Sequence, residues 1–225
     1  MITLFNSIRL ALTGFKLTVL LYLVLLSPLD SNISDLKKTH VQEKSINLVF
    51  FKNLISEDLI AQENHDLNKF LKLRPDSCGP ENKLIYLALL AKHYQCNILF
   101  IVQKAKLVNF KYIPFTVLAS ISNVTSYSSC YDSLVGLYVA INYKVRRETP
   151  YVFNGVNFRV YIFGEKGGHW YITEVSGAPI KHLKNAGYAF GTQKENIAEK
   201  IQKIKSATGQ NYDPRGKLIK PCPKK

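Results

Sequence analysis

Acidic side chains are scarce in this chain: 16 Asp and Glu stand against 30 Lys and Arg in 225 residues, a formal charge of +14. That excess describes partners more than fold. Charged residues of both signs make up only 20% of the chain while apolar ones reach 47%, which excludes wholesale disorder and collagen-like repeats. No C-x-x-C or H-x-x-x-H occurs, and His40, His65, His93 and His182 are scattered, so a zinc or redox motif is excluded and no metal is expected. Glycine-rich phosphate loops are absent too, and no cofactor is expected.

What is present begins with targeting. Leu17 to Leu26 is an uncharged run of ten behind Arg9 and Lys16, followed by Ser27-Pro28, the layout of a secretory signal. Ten residues do not span a bilayer, which takes about 20. Left uncleaved, residues 8–29 reach that length, with the Lys16 amine extending toward the headgroups. Pro28 blocks cutting after Ser27, and Leu29-x-Ser31 matches a cleavage site only in part. Residues 1–30 are therefore read as a signal peptide or a membrane anchor, with 31–44 as a polar linker. Either way the chain is expected outside the cytoplasm, secreted or anchored by one segment.

Export makes the four cysteines, Cys78, Cys96, Cys130 and Cys222, an even set for two disulfides. Three pairings are open. Joining Cys78 to Cys96 would bridge the ends of one predicted helix about 27 Å long, which exceeds disulfide reach unless the segment bends.

Residues 45–180 read as an α+β domain with helices first and strands later. Leu48, Phe51, Ile55 and Leu59 recur at helical spacing, Leu67, Phe70 and Leu71 follow in a short helix stopped by Pro75, and Glu81 to Gln95 predicts a third. In that third helix Leu84, Leu87, Ala88 and Ala91 share a face, with Ile85 and Leu89 beside them. Ile98 to Val102 and Phe115 to Ile121 are rich in β-branched and aromatic residues and predict strands. Leu137, Val139, Ile141, Tyr143 and Val145 alternate along a long strand expected to bury one face. Asn154-Gly155 suits a two-residue hairpin, Val156 to Ile162 alternates again, and a turn over Glu165 to Gly168 leads to Trp170 and Ile172. The expected product is amino-terminal helices packed on a curved antiparallel sheet, plus a carboxy-terminal helix.

Residues 181–225 form a basic helix and tail. Thr192 and Glu195 have the spacing of a capping box, Ile197, Ile201 and Ile204 make a narrow stripe, and Gly209 ends the helix. Eleven basic and three acidic residues give this segment +8 of the chain's +14. Lys144, Arg146 and Arg147 add a second basic cluster. An exported chain meets anionic lipid headgroups and wall polymers rather than nucleic acid, so an anionic envelope surface or a protein partner is expected. The membrane itself is a partner through residues 8–29 if these stay uncleaved.

Gly167-Gly168-His169-Trp170-Tyr171-Ile172-Thr173-Glu174-Val175, with the long strand and hairpin before it, resembles the closing strand of the nuclear transport factor two-like cone fold. It is also similar to the extracytoplasmic module that precedes amidase domains in spore-forming bacteria, over about residues 46–180. The resemblance implies a concave sheet partly covered by helices, with a pocket that Tyr143, Arg159 and Tyr161 would line, and a noncatalytic binding or structural role. Strand residues carry no Asp-His pair for acid-base chemistry.

An alternative is catalytic. Ser77-Cys78-Gly79-Pro80 at a helix start, Gly168-His169-Trp170 on a strand, and Asp213-Pro214 stand in the order of papain-like bacteriocin-processing peptidases, which they resemble locally. There Cys78 would be the thiolate nucleophile, His169 its partner, and Asp213 the residue orienting the ring. The glutamine that supports the oxyanion in that family has no counterpart between Leu71 and Ser77, and Asp213 lies 44 residues past His169.

Overall fold

The structure, a computed structural model, describes residues 46–222, which belong to one compact unit. The apolar run at 17–26 and the linker at 31–44 lie outside the described residues; among those described, no helix is long and apolar enough to cross a membrane. Helix α1 (Leu48–Glu63) starts where the Asn47 side chain accepts the Phe50 N–H, and it buries the predicted stripe of Phe51, Ile55 and Leu59. Asp66 caps the short α2 (Leu67–Lys72) through the Lys69 N–H. Helix α3 (Lys83–His93) follows, then a 3₁₀ turn, a single helical turn α4 (Ile98–Ile101) and strand β1 (Val102–Ile113).

Two expectations about these segments are corrected. Helix α3 meets the body through Tyr86 and Leu90, while Leu84 (72% exposed), Ile85, Leu87 and Leu89 face outward. A helix apolar on every side gives periodicity nothing to choose between, and the Tyr86 hydroxyl decides by donating to the Asn97 side chain at 2.5 Å. Ile98 to Ile101 and α5 (Phe115–Ile121) are helical despite their β-branched content. Asn97 caps the first by accepting the Leu99 N–H, and Pro114 opens the second. The strand lies between them, where lysines obscure its alternation.

Strands β1, β2 (Ser133–Val145), β3 (Gly155–Lys166) and β4 (His169–Gly177) pair in that order as an antiparallel meander. Gly167 and Gly168, both with positive φ, make the two-residue turn from β3 to β4. The β2–β3 connection is longer than the expected Asn-Gly hairpin: residues 146–154 form a loop in which the Thr149 hydroxyl accepts the N–H groups of Tyr151 and Val152. Asn154 serves it by accepting the Val145 N–H at 2.8 Å.

Strand β2 is buried on both faces, not one. Leu137, Val139, Ile141 and Tyr143 pack with Phe51, Ile55 and Leu59 of α1 and with Tyr161, Phe163 and Ile172. On the other face Leu134, Tyr138 and Ala140 join Leu118 of α5, Phe158, Val160 and Ile162. The second cover is completed by α6 (Ile180–Asn185) and α7 (Gln193–Thr208), which contribute Ile180, Leu183 and Ala198. The segment after residue 181 is thus built into the body. A small hairpin, β5 (Asn211–Tyr212) with β6 (Leu218–Ile219), ends it. Fold class is as expected: an α+β body with helices before an antiparallel sheet and helices after it.

Disulfides Cys78–Cys130 and Cys96–Cys222 join the segments before α3 and β2, and the end of α3 to the carboxy-terminal hairpin. One of the three open pairings is thereby chosen.

Glycine is required where the second layer presses closest. A Cβ on Gly164 would stand 2.5 Å from Tyr131 Cδ1 and 2.8 Å from the Thr173 methyl. Gly164→Ala is expected to lower unfolding free energy by about 1–3 kcal/mol in urea titration, the cost of overpacking a filled core. An unchanged midpoint would show that Tyr131 yields freely.

Candidate functional site

Under α1 the apolar stripe continues into polar residues: Phe51 and Ile55 are followed by Asp58 and Gln62, at steps of three and four, and both are buried. Asp58 Oδ1 receives Arg74 Nη1 at 2.9 Å, with the side chains 0% and 2% exposed. Arg74 also donates to the Phe70 carbonyl at 2.9 Å and to Glu81 at 3.2 Å, and its guanidinium stacks 3.2 Å from the Phe70 ring centre. The Gln62 amide and Tyr161 hydroxyl donate to Asp58 Oδ2 at 2.7 and 3.1 Å. Burial works to lower the Arg74 pKa, yet the charges of Asp58 and Glu81 outweigh it and hold it raised. Burial pushes Tyr161 well above its ordinary value, and Asp58 adds to the rise. This network was not foreseen from the sequence. Its signal was present in Asp58 and Gln62 continuing an apolar stripe.

Tyr143, Arg159 and Tyr161 do come together on the α1 side of the sheet, and all three are buried. Tyr143 donates to Gln62 at 3.4 Å, and Arg159 Nη2 donates to the Tyr151 carbonyl, while Arg159 Nε has no partner in the described structure. Tyr143 and Tyr161 thus reach Gln62 and Asp58 of α1, whereas Arg159 reaches the loop between β2 and β3.

Cys78, His169 and Asp213 are not assembled. The Cys78 sulfur is bonded to Cys130, and α3 begins five residues later, at Lys83, so neither a thiol nor an adjacent helix start exists. His169 is exposed at the start of β4, its Nδ1 3.1 Å from the Gly167 carbonyl. Asp213 is fully buried in the turn between β5 and β6. Burial alone would raise its pKa; the N–H groups of Lys217 and Arg215 and the Arg215 guanidinium hold it below the ordinary carboxylate value. Among the described residues no three His, Cys, Asp or Glu side chains are grouped to hold a metal ion.

Positive charge gathers elsewhere. Thr192 caps α7 by accepting the Glu195 N–H at 3.1 Å, as its spacing predicts, and Glu195 is buried. The Glu195 carboxylate accepts the Tyr138 hydroxyl at 2.6 Å and the Phe190 and Gly191 N–H groups, which seats α7 on the sheet. Burial, with Glu195 alongside, pushes the Tyr138 pKa up. Gln202 fastens the helix to the start of α6, donating to the Ala178 carbonyl and accepting the Ile180 N–H. Between α6 and α7 lies a groove of about 810 Å³ that carries Lys181, Lys184, Lys200 and Lys203 with a single carboxylate, Glu199, paired to Lys184 at 3.2 Å. On the same side of the sheet Lys104 sits directly opposite Lys144, a like-charged cross-strand pair that costs stability.

Comparison with protein-family models, with curated proteins and with solved structures returns no match.

Two outcomes follow. Arg74→Met leaves Asp58 buried without its cation and is expected to cost about 3–5 kcal/mol by chemical denaturation, against less for Arg74→Lys. For Asp213, a folded pKa held below the unfolded one means that its stabilisation is full above the ordinary carboxylate pKa of about 4 and is lost as pH falls through the folded value. Protection of the amides in residues 211–219, taken relative to the intrinsic exchange rate at each pH, should therefore fall on acidification below about pH 4, and Asp213→Asn should remove that dependence.

Proposed function

We propose that this chain is a noncatalytic, extracytoplasmic binding module, secreted or tethered by residues 1–30, that docks onto anionic envelope surfaces through α6 and α7. The observation that carries this reading is the groove between those helices, where four lysines face solvent with one carboxylate among them. Its geometry is fixed, because Glu195 and Gln202 anchor α7 to the sheet and to α6. Two disulfides support an oxidising surrounding. The cone-like part of the reading is supported by α1 lying across one face of an antiparallel sheet, although side chains fill the space beneath it.

Docking of this kind depends on charge and falls with ionic strength. The full chain is expected to sediment with phosphatidylglycerol vesicles more strongly than with phosphatidylcholine vesicles, a difference that added salt erases. Lys200→Glu with Lys203→Glu should reduce the phosphatidylglycerol affinity about tenfold or more, since each surface lysine contributes about 1 kcal/mol. Equal sedimentation of parent and variant would remove α7 from the binding surface. Truncating residues 210–225 is a poorer test, because it also removes the Cys222 partner of Cys96.

A further inference from the structure

A second concavity lies away from the lysine groove, between α2 and the edge strand β4. Its volume is about 690 Å³, within the ~300–1,000 Å³ range of small-molecule sites. Trp170, Phe50 and Tyr171 supply its aromatic residues. The indole stands edge-on to Phe51, ring centres 4.9 Å apart at 90°, and Phe51 is in turn edge-on to Phe50 at 5.3 Å. Core packing therefore fixes the plane that Trp170 offers, and among the described residues its N–H has no hydrogen-bond partner.

Leu73 adds an aliphatic surface, and the charged side chains of the lining are two lysines and one glutamate. Asn68, Lys69 and Lys72 come from α2, His169 from β4, and Glu57, the one carboxylate, from α1. The turn at Gly167 and Gly168, beside the cleft, has no heavy atom within 4 Å of where its side chains would stand. The walls are held in place by the Ile172 N–H, which donates to the Leu73 carbonyl at 2.8 Å. The same bond occupies the β4 edge, so an added peptide strand cannot run along it.

We propose that this cleft binds a short acidic oligosaccharide. A pyranose presents a flat C–H face, which an amphipathic aromatic ring covers, and a rim of hydroxyls, which need donors and acceptors such as the indole N–H, Asn68 and Glu57. Lys69 and Lys72 add charge suited to a carboxylate or sulfate on the sugar. A purely apolar ligand would leave these groups desolvated without partners. This site shares no residue with the lysine groove.

Trp170 is the only tryptophan in the sequence, so indole emission reads this cleft alone. The full chain in detergent would be titrated with tetrasaccharides of polygalacturonate, hyaluronan and heparin, and with neutral cellotetraose. The expected result is a saturable change in emission with at least one acidic sugar, weaker or absent with cellotetraose. Lys69→Gln with Lys72→Gln should weaken that binding about tenfold, roughly threefold for each charge. Lys200→Glu with Lys203→Glu should leave the titration unchanged. The proposal is overturned if no acidic tetrasaccharide shifts the emission at millimolar concentration, if the neutral sugar binds as tightly, if the Lys69 and Lys72 variant binds like the parent, or if reversing charge on α7 abolishes the response. Matched thermal midpoints for parent and variants keep loss of binding separate from loss of fold.

Discussion

The central strand β2 has to be covered on both faces, and most of the architecture answers that demand. From Leu134 to Ile141 successive side chains point alternately into two cores, and every one is buried. A four-stranded meander cannot supply either cover itself. One is provided by α1, which comes before the sheet in sequence, and the other by α5, α6 and α7, most of which comes after it. The carboxy-terminal basic segment is for this reason part of the fold: Glu195, an acidic residue in a strongly basic stretch, is the group that holds it down. Lysines on the outer side of α7 are left to solvent, and its charge becomes available for binding because its other side is committed to packing.

Beneath the first cover the packing is not wholly apolar. Arg74 reaches Asp58 on α1, the Phe70 carbonyl on α2 and Glu81 ahead of α3, and is stacked on Phe70. An ion pair in this position recovers little net stability over an apolar core of the same volume, but each of its bonds requires one placement of one element. The three amino-terminal helices have short contacts with one another and few with the sheet beyond α1. Arg74 fixes their relative placement.

Much of this was legible in the residues. The stripe of α1, the Gly-Gly turn, the alternation of β2 and β3, the Thr192 cap and the Gly209 stop all act locally, so spacing alone reveals them. What escaped was decided at a distance. Helix α3 is apolar on all sides, and its orientation follows from one hydroxyl bond to Asn97. Ile98 to Ile101 and Phe115 to Ile121 have strand composition, yet a side-chain cap and a proline start them as helices. Burial of the second face of β2 depends on α5 and β3 and, beyond them, on α6 and α7, which lie far along the chain. Both grooves escaped as well. Lys181 and Lys203 meet only because α6 and α7 pack together, and Trp170 meets Lys69 and Lys72 only because Leu73 pairs with Ile172.

The Cys96–Cys222 bond closes a ring over a separation of 126 residues that contains the whole four-stranded sheet. Tension applied between the amino-terminal side of α1 and the carboxy terminus then travels through α1, α2, α3 and the sulfur bridge, and bypasses every strand. Such a domain transmits load as a short linkage of three helices, with its sheet and the groove between α6 and α7 mechanically shielded, while the cleft walled by α1 and α2 lies on the loaded path.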